Sequence, residues 1–260
     1  MTGRRPVARK RFGQHFLVDQ GVLDAMVALI RPRATDRLLE IGPGRGALTE
    51  HLHGTAARYL AIEIDRDLVP FLKARFTDLE VVNDDVLRVD LSGLLGDDPP
   101  RWRVVGNLPY NISTPLIVRM LDHLDAIEDM HFMLQREVAA RLAGSPGTKA
   151  WGRIAVLTQY HCEVYQVLDV APESFDPPPR VWSSVVRLMP RRDKLGLADP
   201  AALDQILRQA FSQRRKRLGN ALQSLAPDWA AAGVDAGRRA DDLSVAEFVA
   251  LANTVDAGRS

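Results

Sequence analysis

Between residues 37 and 135 the chain repeats one theme: a short run of branched apolar residues, then a longer stretch with helical spacing. The runs are "RLLEIG" (37–42), "YLAIEI" (59–64), "LEVVND" (79–84), "WRVVGN" (102–107) and "MHFMLQ" (130–135). Helical patterns fall between them near 46–54, 66–77 and 113–124, and one precedes them at 19–31. Such alternation predicts βαβ units and a largely parallel sheet. Two later runs, "EVYQVLDV" (163–170) and "SSVVRLM" (183–189), are separated by "APESFDPPPR" instead of a helix, which predicts an antiparallel pair closing one edge. Beyond Pro190, "RRDKLGLADP" reads as a linker and the remainder reads helical, with Ser244 and Glu247 spaced as a capping box. The expectation is an α/β, Rossmann-like sheet over 1–193 and a small all-helical domain over 194–260.

Composition narrows the functional classes. No apolar run reaches the roughly eighteen residues of a membrane span, and the N-terminal stretch lacks the apolar core of a secretory signal. The expected location is therefore the cytoplasm. Cys162 is the only cysteine, so neither an internal disulfide nor a cysteine-based zinc site can form. The six histidines show no metal-ligand spacing, and no metal is expected. The net charge of +1 conceals segregation. Arg4, Arg5, Arg9, Lys10 and Arg11 precede any acid, and Arg208 with Arg214-Arg215-Lys216-Arg217 forms a second acid-free cluster. Paired basic clusters are an electrostatic footprint for phosphate backbones. The first is expected to be mobile alone and to order when such a backbone binds; the second is expected to be a docking face.

Chemistry gathers at the strand ends, where open α/β sheets bind ligands. Gly42, Gly44 and Gly46 follow the first run with GxGxG spacing, unlike the GxGxxG that cradles a dinucleotide pyrophosphate. Glu63 ends the second run, where a carboxylate can take both ribose hydroxyls. Asp84-Asp85 ends the third, where a carboxylate can accept from an adenine amino group. Glycine turn, ribose acid and base acid fit an adenosyl ligand without a pyrophosphate, which favours S-adenosylmethionine over NAD. The fourth run ends in an amide, a proline and an aromatic ring, Asn107-Leu108-Pro109-Tyr110.

With that fourth element the chain resembles the ribosomal RNA adenine N6,N6-dimethyltransferases, and among them the bacterial small-subunit enzymes. The resemblance is carried by "ARKRFGQHFL" (8–17), "EIGPGRGALT" (40–49), "EID" (63–65), "GNLPYNIST" (106–114), "FDPPPRV" (175–181) and "FSQRRKRLGNAL" (211–222), in the family's order. It implies cofactor contacts at His15, Leu17, Gly42, Glu63, Asp85 and Asn107, where His15 takes a position often filled by asparagine. It places the target base at Asn107, Leu108 and Tyr110, with Phe175 as a candidate second aromatic wall. It also implies dimethylation of two adjacent adenosines near the 3′ end of small-subunit (16S) ribosomal RNA, by a monomer acting within a pre-30S particle, and a part in small-subunit biogenesis.

The chemistry of the base agrees with such a site. An adenine amino nitrogen is a poor nucleophile because its lone pair is delocalised into the ring. Two acceptors, such as the Asn107 side-chain oxygen and the Leu108 carbonyl, can hold its hydrogens and aim the lone pair at a methyl group. No strong base is required, and the rate comes from positioning and electrostatics. Tyr110 can stack on a base that has left its own stack. Three rival readings remain: a resistance-type methyltransferase acting on large-subunit ribosomal RNA, an NAD-dependent dehydrogenase, and a non-catalytic ribosome-assembly or RNA-binding factor. The glycine spacing and the lack of a catalytic histidine or tyrosine–lysine pair count against the dehydrogenase.

Overall fold

The computed structural model describes residues 13–96 and 98–255. The basic residues Arg4 to Arg11, and the ordering expected of them, lie outside that range. The chain forms two compact units, Met1–Ala139 with Tyr165–Pro190, and Ala140–Val164 with Arg191–Ser260.

The chain builds a seven-stranded sheet of β2 (Arg37–Ile41), β3 (Arg58–Ile62), β4 (Glu80–Val82), β5 (Trp102–Asn107), β6 (Ile127–Gln135), β7 (Cys162–Val170) and β9 (Ser183–Pro190), all of it in the first unit except the start of β7, up to Val164. Its order is β4-β3-β2-β5-β6-β9-β7. The strands from β4 to β6 run parallel, and β9 lies antiparallel to β6 with Gln135 opposite Ser183. The centre of the sheet reads as unbroken apolar runs because both its faces are covered: Leu38, Leu39, Leu60, Ala61, Val104 and Val105 are all completely buried. The expected Rossmann-like α/β sheet is present, with β7 and β9 at one edge.

Helix α1 (Gln20–Ile30) starts at Asp19, whose carboxylate accepts from the amides of Gly21 and Val22, and it buries Leu23, Met26 and Ile30 along one face. Helices α2 (Ala47–Leu52), α3 (Leu68–Arg75) and α5 (Ser113–Leu121) are the crossovers expected between strands, and the shorter α4 (Leu91–Leu95) and α6 (Arg136–Leu142) precede β5 and follow β6. Arg103, almost fully buried at the start of β5, bonds Asp129 and Asp36 and donates to the carbonyls of Ile30 and Arg31. A buried guanidinium is tolerable only with its donors satisfied, and here they tie the end of α1 to the sheet.

A second, two-stranded ladder pairs β1 (Phe16–Leu17) with β8 (Phe175–Asp176). Two residues per strand leave no periodicity in the sequence.

The second unit is helical, with α8 (Pro200–Ser212), α9 (Leu218–Ala221), α10 (Trp229–Ala232) and α11 (Val245–Ala252). Ser244 and Glu247 form the expected capping box at the start of α11. This unit also takes in 140–164, a segment that the sequence reading places in the first domain. The reason is packing. Trp151 is buried among Leu203, Ile206, Leu218 and Phe248, with its indole N–H donating to the Leu243 carbonyl at 3.0 Å. Ala155 and Val156 of α7 (Arg153–His161) join the same core. Cys162, at the junction of α7 and β7, is buried, and burial pushes its thiol up to about 12, which leaves it an inert hydrophobe.

Candidate active site

The sheet order reverses direction at β2: the chain moves outward through β3 and β4, then returns to place β5 on β2's other side. A crevice opens outside the carboxyl ends of the strands at such a switch point. Here it is a cavity of about 290 Å³, lined by the turn after β2, the ends of β3 and β4, the segment after β5, and residues 13–17. Gly106 lets β5 come close to β2, since a Cβ there would lie 2.5 Å from the Ile41 carbonyl oxygen. Gly44 turns with a φ of +59°, and a Cβ on it would press on the Phe16 ring at 3.0 Å.

Glu63, just after β3, is buried with both carboxylate oxygens held: Oε2 accepts from the Gly44 amide at 3.0 Å and Oε1 from the Asp65 amide at 2.9 Å. Burial raises its pKa, while the two amides act to lower it. A carboxylate held in this way is a fixed acceptor for a diol. Asp85 lines the cavity near β4 and its Oδ1 accepts from the Leu87 amide. Asn83 Nδ2 donates to the Glu63 carbonyl at 2.6 Å, which fixes the end of β4 against that of β3.

The segment after β5 brings Asn107, Leu108, Pro109 and Tyr110 to the same cavity. Asn107 Nδ2 donates to the His15 carbonyl at 2.9 Å. Because the amide NH₂ is engaged there, Oδ1 is the end of the side chain left to accept from another group. Tyr110 hydroxyl and Ser183 Oγ are 2.8 Å apart, so the ring is tied to the start of β9. Burial raises the phenol pKa, against the Ser183 hydrogen bond.

Residues 13–17 form one wall of the cavity. Phe16 and Leu17 are laddered to Asp176 and Phe175. Arg45, from the glycine turn, reaches over the Phe16 ring (4.2 Å to its centroid) and pairs with Asp176 at 2.8 Å. His15 and Leu17 line the cavity, together with Gly42. Phe175 does not. It is buried in the core with Leu17, Met26 and Val185, because β8 turns its side chain into the sheet's packing layer.

Glu40 lines the cavity without having been singled out in the sequence. It is buried at the end of β2, and its Oε2 accepts from the Thr49 and Tyr59 hydroxyls, both at 2.6 Å. Burial pushes its pKa up to about 7, against those two hydrogen bonds. A carboxylate flanked by Leu38, Leu39 and Ile41 was the signal available. Among the described residues, no group of three or more potential ligands is arranged to hold a metal ion, and no helix is long and apolar enough to cross a membrane.

A glycine turn, a held Glu63 and the Asn107 amide around one cavity at the switch point of a Rossmann-like sheet fit an S-adenosylmethionine-dependent methyltransferase, the class to which the matching proteins belong. The family model described as ribosomal RNA adenine dimethylase matches residues 6–257. The chain is 50% identical over 266 residues to the ribosomal RNA small subunit methyltransferase A of Chromohalobacter salexigens, covering 98% of this chain and 94% of the relative. It is 50% identical over 252 residues to the protein of the same name from Pseudomonas aeruginosa, covering 95% and 94%. Among solved structures, a dimethyladenosine transferase from Plasmodium falciparum superimposes with a TM-score of 0.78 at 26% identity, over 91% of this chain and 96% of that one. The 23S rRNA methyltransferase ErmE gives 0.66 at 27% identity, over 92% and 99%. The chain belongs to the ribosomal RNA adenine dimethylase family.

Proposed function

We propose that this enzyme dimethylates the N6 amino groups of two adjacent adenosines near the 3′ end of 16S ribosomal RNA, as a cytoplasmic monomer acting on a pre-30S particle. The observation that carries this reading is a single cavity running from Glu63 and Asp85 to Asn107 and Tyr110. The identity to small-subunit relatives supports that substrate over the large subunit.

The cavity fits the cofactor: glycines remove side chains where a ligand must approach, and Glu63 holds two fixed acceptors. Glu63 takes the ribose hydroxyls, Asp85 the adenine amino group, and Gly42, His15 and Leu17 complete the wall. When bound, the cofactor supplies a methyl group on a positively charged sulfur, so the enzyme need not generate a strong nucleophile. Asn107 Oδ1 and the Leu108 carbonyl accept the hydrogens of the target amino group and concentrate its lone pair on the nitrogen. The bond from Asn107 Nδ2 to the His15 carbonyl pre-orients that acceptor, so no reorganisation is needed during transfer. Tyr110 stacks on the extruded base. The helical unit binds RNA backbone through its exposed basic residues.

The deciding experiment is incubation with labelled S-adenosylmethionine and, separately, unmethylated small and large ribosomal subunits, followed by nucleoside analysis. N6,N6-dimethyladenosine in the small subunit alone is expected. Label in the large subunit would favour the resistance-type activity, and no label in either would leave only an assembly role.

A further inference from the structure

Between β8 and β9 the segment "PPPRVW" (177–182) runs along the rim of the cavity and is tied to it at both ends. At its start the Pro177 carbonyl accepts from Nδ1 of the cavity-lining His15 at 2.7 Å. Just past its end, Ser183 Oγ meets the hydroxyl of the cavity-lining Tyr110 at 2.8 Å. Arg180, Val181 and Trp182 are exposed on this rim, Trp182 by 47%. Two other indoles of the chain, Trp102 and Trp151, are buried and donate to the carbonyls of Leu95 and Leu243. The indole N–H of Trp182 has no such acceptor among the described residues. We propose that Trp182 is a stacking platform for the nucleotide adjoining the target adenosine, a binding subsite outside the cavity that receives the target base. The inference rests on the base-methylating reading above.

The platform is rigid at its backbone. The Trp182 carbonyl accepts from the Arg136 amide at 2.9 Å, which carries the β6–β9 ladder one step beyond the Gln135–Ser183 pair. Residues directly opposite in an antiparallel ladder have Cβ atoms about 5 Å apart, so Arg136 is the cross-strand neighbour of Trp182. Its guanidinium is more than half exposed and is steadied by Asp169 at 3.5 Å. Arg180, two residues before Trp182, is exposed and its side chain is unpaired among the described residues. Two guanidiniums beside an exposed indole suit a single strand of RNA, whose phosphates take the cations and whose base takes the ring. The acids nearby are neutralised, Asp176 by Arg45 and Asp169 by Arg136. Successive side chains of an extended chain point to opposite sides. Ser183 turns in toward Tyr110, so Trp182 turns out, toward a different nucleotide from the one in the cleft. Extruding the target base also strips its neighbour of a stacking partner, and the indole replaces it.

The test compares Trp182→Ala, Trp182→Leu and Trp182→Phe with the wild type in single-turnover methylation of purified, unmethylated small subunits, at subsaturating and at saturating enzyme. S-adenosylmethionine affinity is measured alongside by calorimetry. All three variants should bind the cofactor within about twofold of the wild type, which also certifies their fold. Loss of one stacked base should lower the subsaturating rate about tenfold in Trp182→Ala and Trp182→Leu. The saturating rate should stay within about twofold, because the platform acts on RNA binding and not on transfer. Trp182→Phe should recover to within about threefold, since rescue requires a π face and not merely bulk. The inference is overturned if Trp182→Leu does as well as Trp182→Phe, or if the saturating rate falls in step with the subsaturating one. Wild-type rates in all three variants would also overturn it, leaving the exposed ring to a protein partner or to none. Tyr110→Ala serves as the separate control. If that variant methylates normally, the reading of the cleft itself fails, whatever Trp182 does.

Discussion

Replacing Glu40 by glutamine should make the protein more stable above neutrality while leaving it almost unchanged near pH 4.5. The carboxyl is buried between the Thr49 and Tyr59 hydroxyls, and burial moves it from its ordinary 4.5 to about 7. A group whose folded pKa is raised contributes stability that is full below its unfolded pKa and is lost as pH climbs through the folded one. The wild type therefore loses stability between pH 4.5 and about 7, by roughly 1.4 kcal/mol for each pH unit crossed. The whole effect is about 3 kcal/mol. Glutamine keeps an acceptor for the two hydroxyls and never ionises. Glu63, also raised by burial, remains in both proteins and largely cancels in the difference. Urea unfolding of both proteins from about pH 4.5 to 8 gives the comparison through ΔG at each pH. The two curves should diverge steadily and then run parallel above about pH 7. Curves parallel throughout would mean that Glu40 ionises as freely in the folded protein as in the unfolded chain, and the reasoning from burial would be wrong.

Asn107→Ala should reduce single-turnover methylation roughly a hundredfold or more, comparable to losing one oriented transition-state contact, with only a modest loss of cofactor affinity by calorimetry; near-normal turnover would make the NLPY segment merely a turn. Glu63→Ala should weaken S-adenosylmethionine binding strongly, because it removes charge-assisted hydrogen bonds of roughly 1.5–3 kcal/mol each, and unchanged affinity would show that the ribose lies elsewhere. The second basic cluster should divide: Arg215, Lys216 and Arg217 are exposed, whereas Arg214 bonds Asp241 and the carbonyls of Thr148 and Lys149. Neutralising the exposed three should flatten the salt dependence of small-subunit binding by roughly two to three units of slope, while Arg214→Ala should lower thermal stability instead, and the reverse pattern would refute that division.

Much of the site was legible in the sequence because strand ends are local. A run such as "RLLEIG" fixes where a strand stops, and alternation with helices makes the sheet parallel, so Gly42, Glu63, Asp85 and Asn107 had to share one edge. The capping box at Ser244 and Glu247 is equally local, four residues that satisfy their own amides. Glu40 was missed because a carboxyl in an apolar strand announces burial only once its partners, Thr49 and Tyr59, are seen to close around it.

What the sequence could determine by itself was periodicity, the carboxyl edge and the chemistry carried to it. Tertiary structure alone decided which rings meet. Phe175 and His15 are 160 residues apart in a chain of 260, and a two-residue ladder between β1 and β8 sets their facing directions. In a strand a shift of one residue exchanges the inward and outward faces. That register sends Phe175 into the core and leaves His15 opposite Tyr110. Likewise Trp151 joins the helical unit because its large apolar surface is buried there among Leu203, Ile206 and Phe248. Packing of that kind depends on shape across the chain, and no local pattern encodes it.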